Sequence, residues 1–317
     1  MHRNITEPLC IELEPKMFWH NKEQAHFRNS RRDKQMEYLN LNNGTKIPAA
    51  GIGTFLMSPQ DAQAACLAAI KCGYELIDTA NAYMNEKAVG RAVKESGTDR
   101  KNLYLSTKLW PSVYATADQA IDDTLKRLGT DYIDLLFLHQ PVGDYMGAYQ
   151  AMEHAVKANK VKSLGLSNFS EEQIRQIAEN AQVKPAVVQV EAHPYYPQTQ
   201  LREYLKEMGT LIMAWYPLGH GDPALLQEPV FTKLAKKYGK SSAQIILRWH
   251  TQLGNIVIPG SKNEAHIRDN IDLFDFALTE EEMGEIATVD KDVRYYTATK
   301  EALQGYLAFS PNFDAQE

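Results

Sequence analysis

The sequence predicts a (β/α)8 TIM barrel with an N-terminal β-hairpin closing the barrel bottom. Three observations carry this. From Tyr38 onward, short β-rich runs alternate with helix-patterned runs, and such alternation implies a parallel sheet with helices outside it. Eight strand runs can be counted, spaced by about 30 residues, the length of one βαβ step. They are nearly continuous apolar stretches, as strands buried on both faces are. Eight such units close on themselves. An open doubly wound sheet is the alternative, but no G-x-G-x-x-G follows the first strand. The nearest match, Gly51-x-Gly53, runs on into Thr54, Phe55 and Leu56 without a third glycine.

The elements follow in order. YLNLNNGTKIPAA (38–50) reads as the hairpin, with Asn43-Gly44 as a two-residue turn. GIGTF (51–55) is the first barrel strand. A helix over Pro59–Lys71 starts at a proline and stops before Gly73. ELIDT (75–79) is the second strand and NEKAVGRAVKES (85–96) the next helix. NLYLSTK (102–108) precedes a helix that Gly129 stops. YIDLLFLHQ (132–140) leads into a helix over Tyr145–Asn159, and VKSLGLSNF (161–169) is the fifth strand. Ser170 with Gln173 makes a capping box for the helix after it. AVVQVEAH, the helix QLREYLKEMG and TLIMAWYPLG (210–219) follow. Ser241 and Gln244 cap IILRWHTQL, and NIVIPGS (255–261) is the last strand. The loops after strands 1, 4 and 7 read as short, which favours an open, broadly accepting pocket.

Bulk properties narrow the function. The chain has 317 residues, 44% hydrophobic and 23% charged, with net charge -6. That suits a soluble single barrel domain over 37–317. It argues against nucleic acid, whose binders carry a basic stripe, and against an anionic membrane surface. No apolar run is long enough to span a bilayer. The three cysteines, Cys10, Cys66 and Cys72, are too few and odd in number for a disulfide framework, which points to a reducing cytoplasm. Cys66 and Cys72 read as packing residues. Residues 1–36 lack both an apolar secretory core and a sustained period. They read as a disordered or loosely packed extension, or as sequence upstream of a start at Met36. Asn4-Ile5-Thr6 matches a glycosylation triplet but has no secretory signal beside it.

The strand ends carry the chemistry. Asp78, Lys108, His139, Ser167-Asn168, Gln189 with Glu191, Trp215 and Ser261 end successive strands, and Tyr83 follows Asp78 by five residues. In a parallel barrel these ends form one face, where active sites lie. A metal site is disfavoured: the histidines show no H-x-H or H-x3-H pair, and only His139 and His193 fall at strand ends. A serine hydrolase is disfavoured because there is no G-x-S-x-G elbow. What remains is proton donation by Tyr83. A phenol is a weak acid at neutral pH, so an ammonium at Lys108, held by Asp78, is expected to lower its pKa. His139 can donate to the same substrate oxygen. That set suits a reaction that builds negative charge on a carbonyl oxygen. Singly, each residue also has a structural reading: a buried ion pair, a loop cap, a satisfied backbone group.

The stretches GIGTF, IDTANAYMNEKAVGRAV, STKLW, DYIDLLFLHQP, SLGLSNF, VVQVEAHPYYPQ, YPLG and IPGSKNEAHIRDN together closely resemble the aldo-keto reductase family, bacterial-type and similar to 2,5-diketo-gluconate and aldehyde reductases. They stand in family order over nearly the whole chain. The resemblance implies a monomeric barrel that binds NADP(H) and reduces aldehydes and ketones. It implies a catalytic tetrad of Asp78, Tyr83, Lys108 and His139. Ser167, Asn168 and Gln189 would meet the nicotinamide carboxamide. Trp215, where the family usually has tyrosine, would stack on the ring. Pro217, Leu218 and Gly219 would follow the pyrophosphate, and Ser261, Asp269 and Asn270 the adenosine half. Phe55, Met57, Trp110 and Tyr83 would wall the substrate pocket, with the segment near Phe309 as a lid. Two positions depart from the family: Gly260 replaces the usual lysine and His266 the usual arginine at the 2′-phosphate. Lys262 and Arg268 are the nearest cations. The resemblance therefore implies NADP(H), with NAD(H) also accepted.

Overall fold

A computed structural model describes residues 36–317. The expected extension over 1–36 lies, except for Met36, outside the described residues, as do Cys10 and the Asn4 triplet. Ten strands are described. β1 (Tyr38–Asn40) and β2 (Lys46–Pro48) form the antiparallel hairpin. The barrel strands are β3 (Gly51–Gly53), β4 (Leu76–Asp78), β5 (Tyr104–Leu109), β6 (Ile133–Leu138), β7 (Val161–Ser167), β8 (Val187–Glu191), β9 (Leu211–Trp215) and β10 (Ile256–Val257). Each pairs in parallel with the next in sequence. A parallel bridge between Ala50 and Val257 brings the last strand back to the first, and the Val257 N–H donates to the Ala49 carbonyl at 3.0 Å.

The barrel interior is a packed core. Leu76, Leu135, Phe137, Val187, Met213 and Ile256 form one buried cluster with Leu41 and Ile47 of the hairpin. The hairpin thus plugs the bottom of the barrel with two apolar side chains. Its polar tip is fixed too: the Asn43 amide donates to Ser163 Oγ at 2.9 Å and to the Lys162 carbonyl at 3.1 Å. The turn is wider than the two-residue form that Asn43-Gly44 suggests, because Leu41–Thr45 intervene between the strands. Gly165 is dictated by packing: a Cβ there would lie 2.4 Å from the Phe137 ring.

The outer helices begin and end where local chemistry directs. Pro59 opens the helix Pro59–Cys72, whose first-turn donor is capped by Ser58, and left-handed Gly73 closes it. Both expected capping boxes are present, at Ser170 with Gln173 and at Ser241 with Gln244. Cys66 is buried inside the first of these helices, and burial pushes its thiol up to about 12. Among the described residues no helix is long and apolar enough to cross a membrane.

One expectation fails. The connection after β9 is long, not short: residues 216–241 carry a loop and two helices, Pro223–Leu226 and Pro229–Tyr238. A further helix, Lys300–Ala308, covers one side of the barrel mouth. The segment after it is tied to the outer helices Glu86–Glu95 and Ala117–Leu128: Arg127 pairs with Asp314 at 2.8 Å, and Lys87 Nζ donates to the Asp314 carbonyl at 2.7 Å. The pocket is therefore more enclosed than the sequence reading suggests.

Candidate active site

A cleft of about 1080 Å³ opens at the carboxyl ends of the strands. Its inner end is built by β4, β5 and β6. Asp78, the last residue of β4, is buried, and its carboxylate accepts from Lys108 Nζ at 2.6 Å, Ser106 Oγ at 2.8 Å and Gln189 Nε2 at 3.1 Å. Lys108 is fully buried on β5 and also donates to the Thr79 carbonyl at 2.7 Å. The one-turn helix Asn81–Tyr83 then swings Tyr83 back over this pair, with left-handed Met84 ending the turn. Lys108 Nζ lies 4.9 Å from the centre of the Tyr83 ring. His139, just past β6, meets that ring edge-on at 5.5 Å and Trp110 at 4.9 Å.

The electrostatics correct one expectation. The Tyr83 phenol is pushed well above its usual value of 10.0, first by burial, then by the Asp78 charge and by Tyr216. The neighbouring ammonium does not lower the phenol as its spacing in the sequence suggests. Burial and the Asp78 charge prevail, and the Lys108 hydrogen bonds go to Asp78 and the Thr79 carbonyl. Burial pulls the Lys108 ammonium down from 10.5, against the opposing pull of Asp78. His139 is held well below 6.5, first by burial and then by Lys108. At neutral pH the site therefore holds a protonated phenol and a neutral imidazole.

Other strand ends continue the cleft outward. Ser167, Asn168, Gln189, Trp215, Pro217, Leu218, Ser261 and Lys262 all line it. Asn168 is left-handed (φ 67), and its amide is fixed on both sides. Nδ2 donates to the His139 carbonyl at 3.1 Å, and Oδ1 accepts from the Trp215 indole at 3.0 Å. Phe55, Met57, Trp110 and Phe309 line the opposite wall, where Trp110 meets Phe309 at 5.7 Å. Four of the singled-out residues do not line the cleft in this way. Gly219 is buried just behind the loop surface. His266 and Asp269 are exposed on the helix Glu264–Ile271, and Asn270 is buried on it.

Several residues that support the site lie outside the sequence reading. The buried Asn85 amide donates to the Thr54 and Met57 carbonyls at 3.0 and 3.2 Å and accepts from Thr79 at 2.7 Å. It thereby fixes the loop that carries Phe55. Asn81 Oδ1 accepts from the Trp110 N–H at 3.1 Å. Tyr216, Tyr296 and Tyr306 add to the wall. The asparagines in IDTANAYMNEKA were the available signal for the first two.

At the outer end, Gly260 has a packing reason. A Cβ there would sit 2.9 Å from the Gly53 carbonyl, too close for any side chain without backbone movement. Lys262 Nζ pairs with Asp61 at 2.7 Å, so the nearest cation already has an anionic partner. The cleft as a whole fits a nicotinamide dinucleotide. It offers amides and a hydroxyl in its middle, an aromatic face at Trp215, a loop with Pro217, Leu218 and Gly221, and a hydroxyl and a cation at its far end.

A parallel barrel with a polar-floored, aromatic-walled cleft at its strand ends defines a barrel enzyme. The aldo/keto reductase family model matches residues 49–291. The chain is 41% identical over 260 residues to a glyoxal reductase from Bacillus subtilis (strain 168), covering 81% of this chain and 94% of the relative. It is 40% identical over 272 residues to morphine 6-dehydrogenase from Pseudomonas putida, covering 81% and 92%. Its fold is similar to that of an aldo-keto reductase from Bombyx mori in complex with NADP, with TM-score 0.79 and 34% identity over 83% of this chain and 95% of that one. The chain belongs to the aldo/keto reductase family and is an oxidoreductase acting on carbonyl groups.

Proposed function

We propose that the protein is an NADP(H)-dependent reductase of aldehydes and ketones in which Tyr83 donates the proton. The observation that carries this reading is the stacking of Tyr83 over the buried Asp78–Lys108 pair, beside His139, at the inner end of the cleft. When bound, the reduced cofactor supplies a hydride to the carbonyl carbon. Negative charge then develops on the carbonyl oxygen, and Tyr83 O–H can neutralise it. His139, kept neutral, donates a hydrogen bond to that oxygen without becoming an acid that titrates near neutrality. Lys108 and Asp78 hold the tyrosine from behind. Ser167, Asn168 and Gln189 would hold the carboxamide, and Trp215 would flank the ring. Pro217, Leu218 and Gly219 would follow the pyrophosphate. Ser261, Lys262, His266, Asp269 and Asn270 would serve the adenosine end. The direct test is loss of NADPH absorbance with a reactive aldehyde and purified protein. Cofactor binding without turnover would refute the assignment.

The adenosine end supports a weak preference between cofactors. A 2′-phosphate is best gripped by guanidinium groups in bidentate contact. Here His266 and Gly260 stand instead, and Lys262 is shared with Asp61. The expected NADPH-over-NADH ratio in kcat/KM is below about 10³, roughly 4 kcal/mol. His266→Arg should raise it by about 10-fold or more, the worth of one charge-assisted contact. A larger native ratio, or no gain in the variant, would contradict this.

The cleft also supports a substrate class. Among the described residues Lys262 is the one Lys or Arg that lines it, and it lies at the far end from His139. The walls near Tyr83 are Phe55, Met57, Trp110, Tyr306 and Phe309. A carboxylate on the substrate would lose water there without gaining a cation, a costly exchange. We expect neutral aldehydes with an apolar body to exceed carboxylated carbonyl compounds of similar size by about 10-fold or more in kcat/KM, a difference of about 1.4 kcal/mol. Measured parity across a matched substrate pair would remove this reading.

A further inference from the structure

We infer that Glu191 is a positioning residue that ties the loop bordering the cofactor to the cover of the substrate pocket. Glu191 ends β8 and is fully buried. Its carboxylate does not face the cleft. It accepts from the backbone N–H of Tyr295 at 2.5 Å and of Tyr296 at 3.2 Å, and from His193 Nε2 at 3.0 Å. A charged acceptor for two successive backbone donors makes a strong, directional anchor. The strap it holds, Lys291–Tyr296, is zipped to the same side of the barrel. The N–H groups of Lys291 and Val293 donate to the Tyr195 carbonyl at 3.1 and 3.2 Å. Lys291 Nζ reaches Glu228 at 2.9 Å.

The two tyrosines of the strap point to different parts of the site. Tyr295 Oη donates to Asp222 at 2.6 Å. Asp222 closes the glycine turn Gly219–Gly221 and caps the helix after it. Tyr295 also touches that turn directly, since a Cβ on Gly219 would lie 3.0 Å from the tyrosine ring and hydroxyl. Tyr296 lines the cleft, and its hydroxyl meets that of Tyr306 on the covering helix Lys300–Ala308. Tyr306 in turn stacks edge-on against Trp110 at 5.2 Å, and its carbonyl accepts from the Trp110 indole at 2.8 Å. One buried carboxylate therefore sets the position of both arms. The cofactor side of this inference rests on the reading of Pro217–Gly219 as the pyrophosphate border.

The arms can be cut one at a time. Tyr295→Phe is expected to speed NADPH release by about 10-fold, the loss of one charge-assisted hydrogen bond, and to leave the aldehyde KM unchanged. Tyr296→Phe is expected to raise the aldehyde KM and leave NADPH release unchanged. Glu191→Gln should do both, and adding Tyr295→Phe to it should give no further change in release. NADPH release is followed by cofactor fluorescence and KM by steady-state kinetics. A Glu191→Gln protein that is less heat-stable but has native release and KM would overturn the proposal, as would fully additive effects of the two substitutions. If Glu191→Gln does not fold, Glu191→Asp, which keeps the charge but shortens its reach, is read by the same criteria. The two underlying readings separate cleanly. No NADPH binding by the native protein would sink the cofactor assignment and this inference with it. Native binding with unchanged release in Tyr295→Phe would sink the strap alone.

Discussion

Tyr83→Phe is expected to lower kcat/KM for NADPH-dependent aldehyde reduction by about 10²–10⁴-fold, the usual worth of general acid catalysis, while NADPH affinity stays at its native value. The substitution removes one oxygen and keeps the ring that packs against Phe55 at 5.1 Å and His139 at 5.5 Å. The fold and the cofactor cleft should therefore be undisturbed. Single-turnover rates and cofactor titration separate the two quantities, and an active Phe variant would disprove the assigned acid. The pH profile checks the same assignment independently. The Tyr83 phenol is raised well above 10.0, so it keeps its proton throughout the neutral range. His139 is lowered well below 6.5, so it stays uncharged there. Both limbs of the reduction profile therefore fall outside the window, and kcat/KM for reduction should be flat from about pH 6.5 to 9. Alcohol oxidation needs the phenolate as proton acceptor and should rise with pH over the same window. A break in the reduction profile near neutrality would mean that a different group supplies the proton.

The barrel was legible because its strands are apolar on both faces. IDLLFL of β6 is buried at every position, and such a run cannot be mistaken for a solvent-facing strand. Polar residues near the ends of such runs were legible for the same reason: Asp78 and Lys108 put charges at or beside the ends of buried strands. What could not be read was three-dimensional. The five-residue hairpin turn depends on Asn43 reaching Ser163, a contact between residues far apart in sequence. The helix Lys300–Ala308 has no fully buried residue, only a short half-buried stripe of Ala302, Leu303 and Tyr306 interrupted by Gly305, a weak helix signal. The helices after β9 are short and begin at Pro223 and Pro229, which read equally well as loop residues. The sign of the Tyr83 shift turns on how deeply the phenol is buried and how near the Asp78 charge lies, and spacing along the chain does not contain those facts. The glycine at 260 was visible as a departure, but its cause, the Gly53 carbonyl 2.9 Å from where a Cβ would stand, was not.

Breaking the Asp78–Lys108 pair should cost both activity and stability, and the two costs should respond differently to repair. Removing one partner of a buried ion pair typically destabilises by about 3–5 kcal/mol. Asp78→Asn leaves the Lys108 ammonium fully buried with only neutral acceptors, the new amide oxygen and the Thr79 carbonyl. Lysine can escape by losing its proton, and burial already pulls it down from 10.5. The cost of folding with a neutral amine at pH 7 is then limited to about 5 kcal/mol, from about 1.4 kcal/mol per pH unit below the unfolded value. The sign follows from linkage: the unfolded chain binds a proton that the folded one does not, so stability of this variant rises with pH toward 10.5. Denaturant unfolding at pH 7 and pH 9 should show the penalty shrinking by about 2–3 kcal/mol. Lys108→Met leaves the carboxylate with two donors, Ser106 and Gln189, and should be destabilised within the same range. The double variant buries neither charge, so it should be more stable than the sum of the singles by at least about 1 kcal/mol. Its activity should nonetheless stay as low as that of Lys108→Met, because the support behind Tyr83 is gone. Additive stabilities would show that the pair is not coupled, and recovered turnover in the double variant would show that Tyr83 does not depend on it.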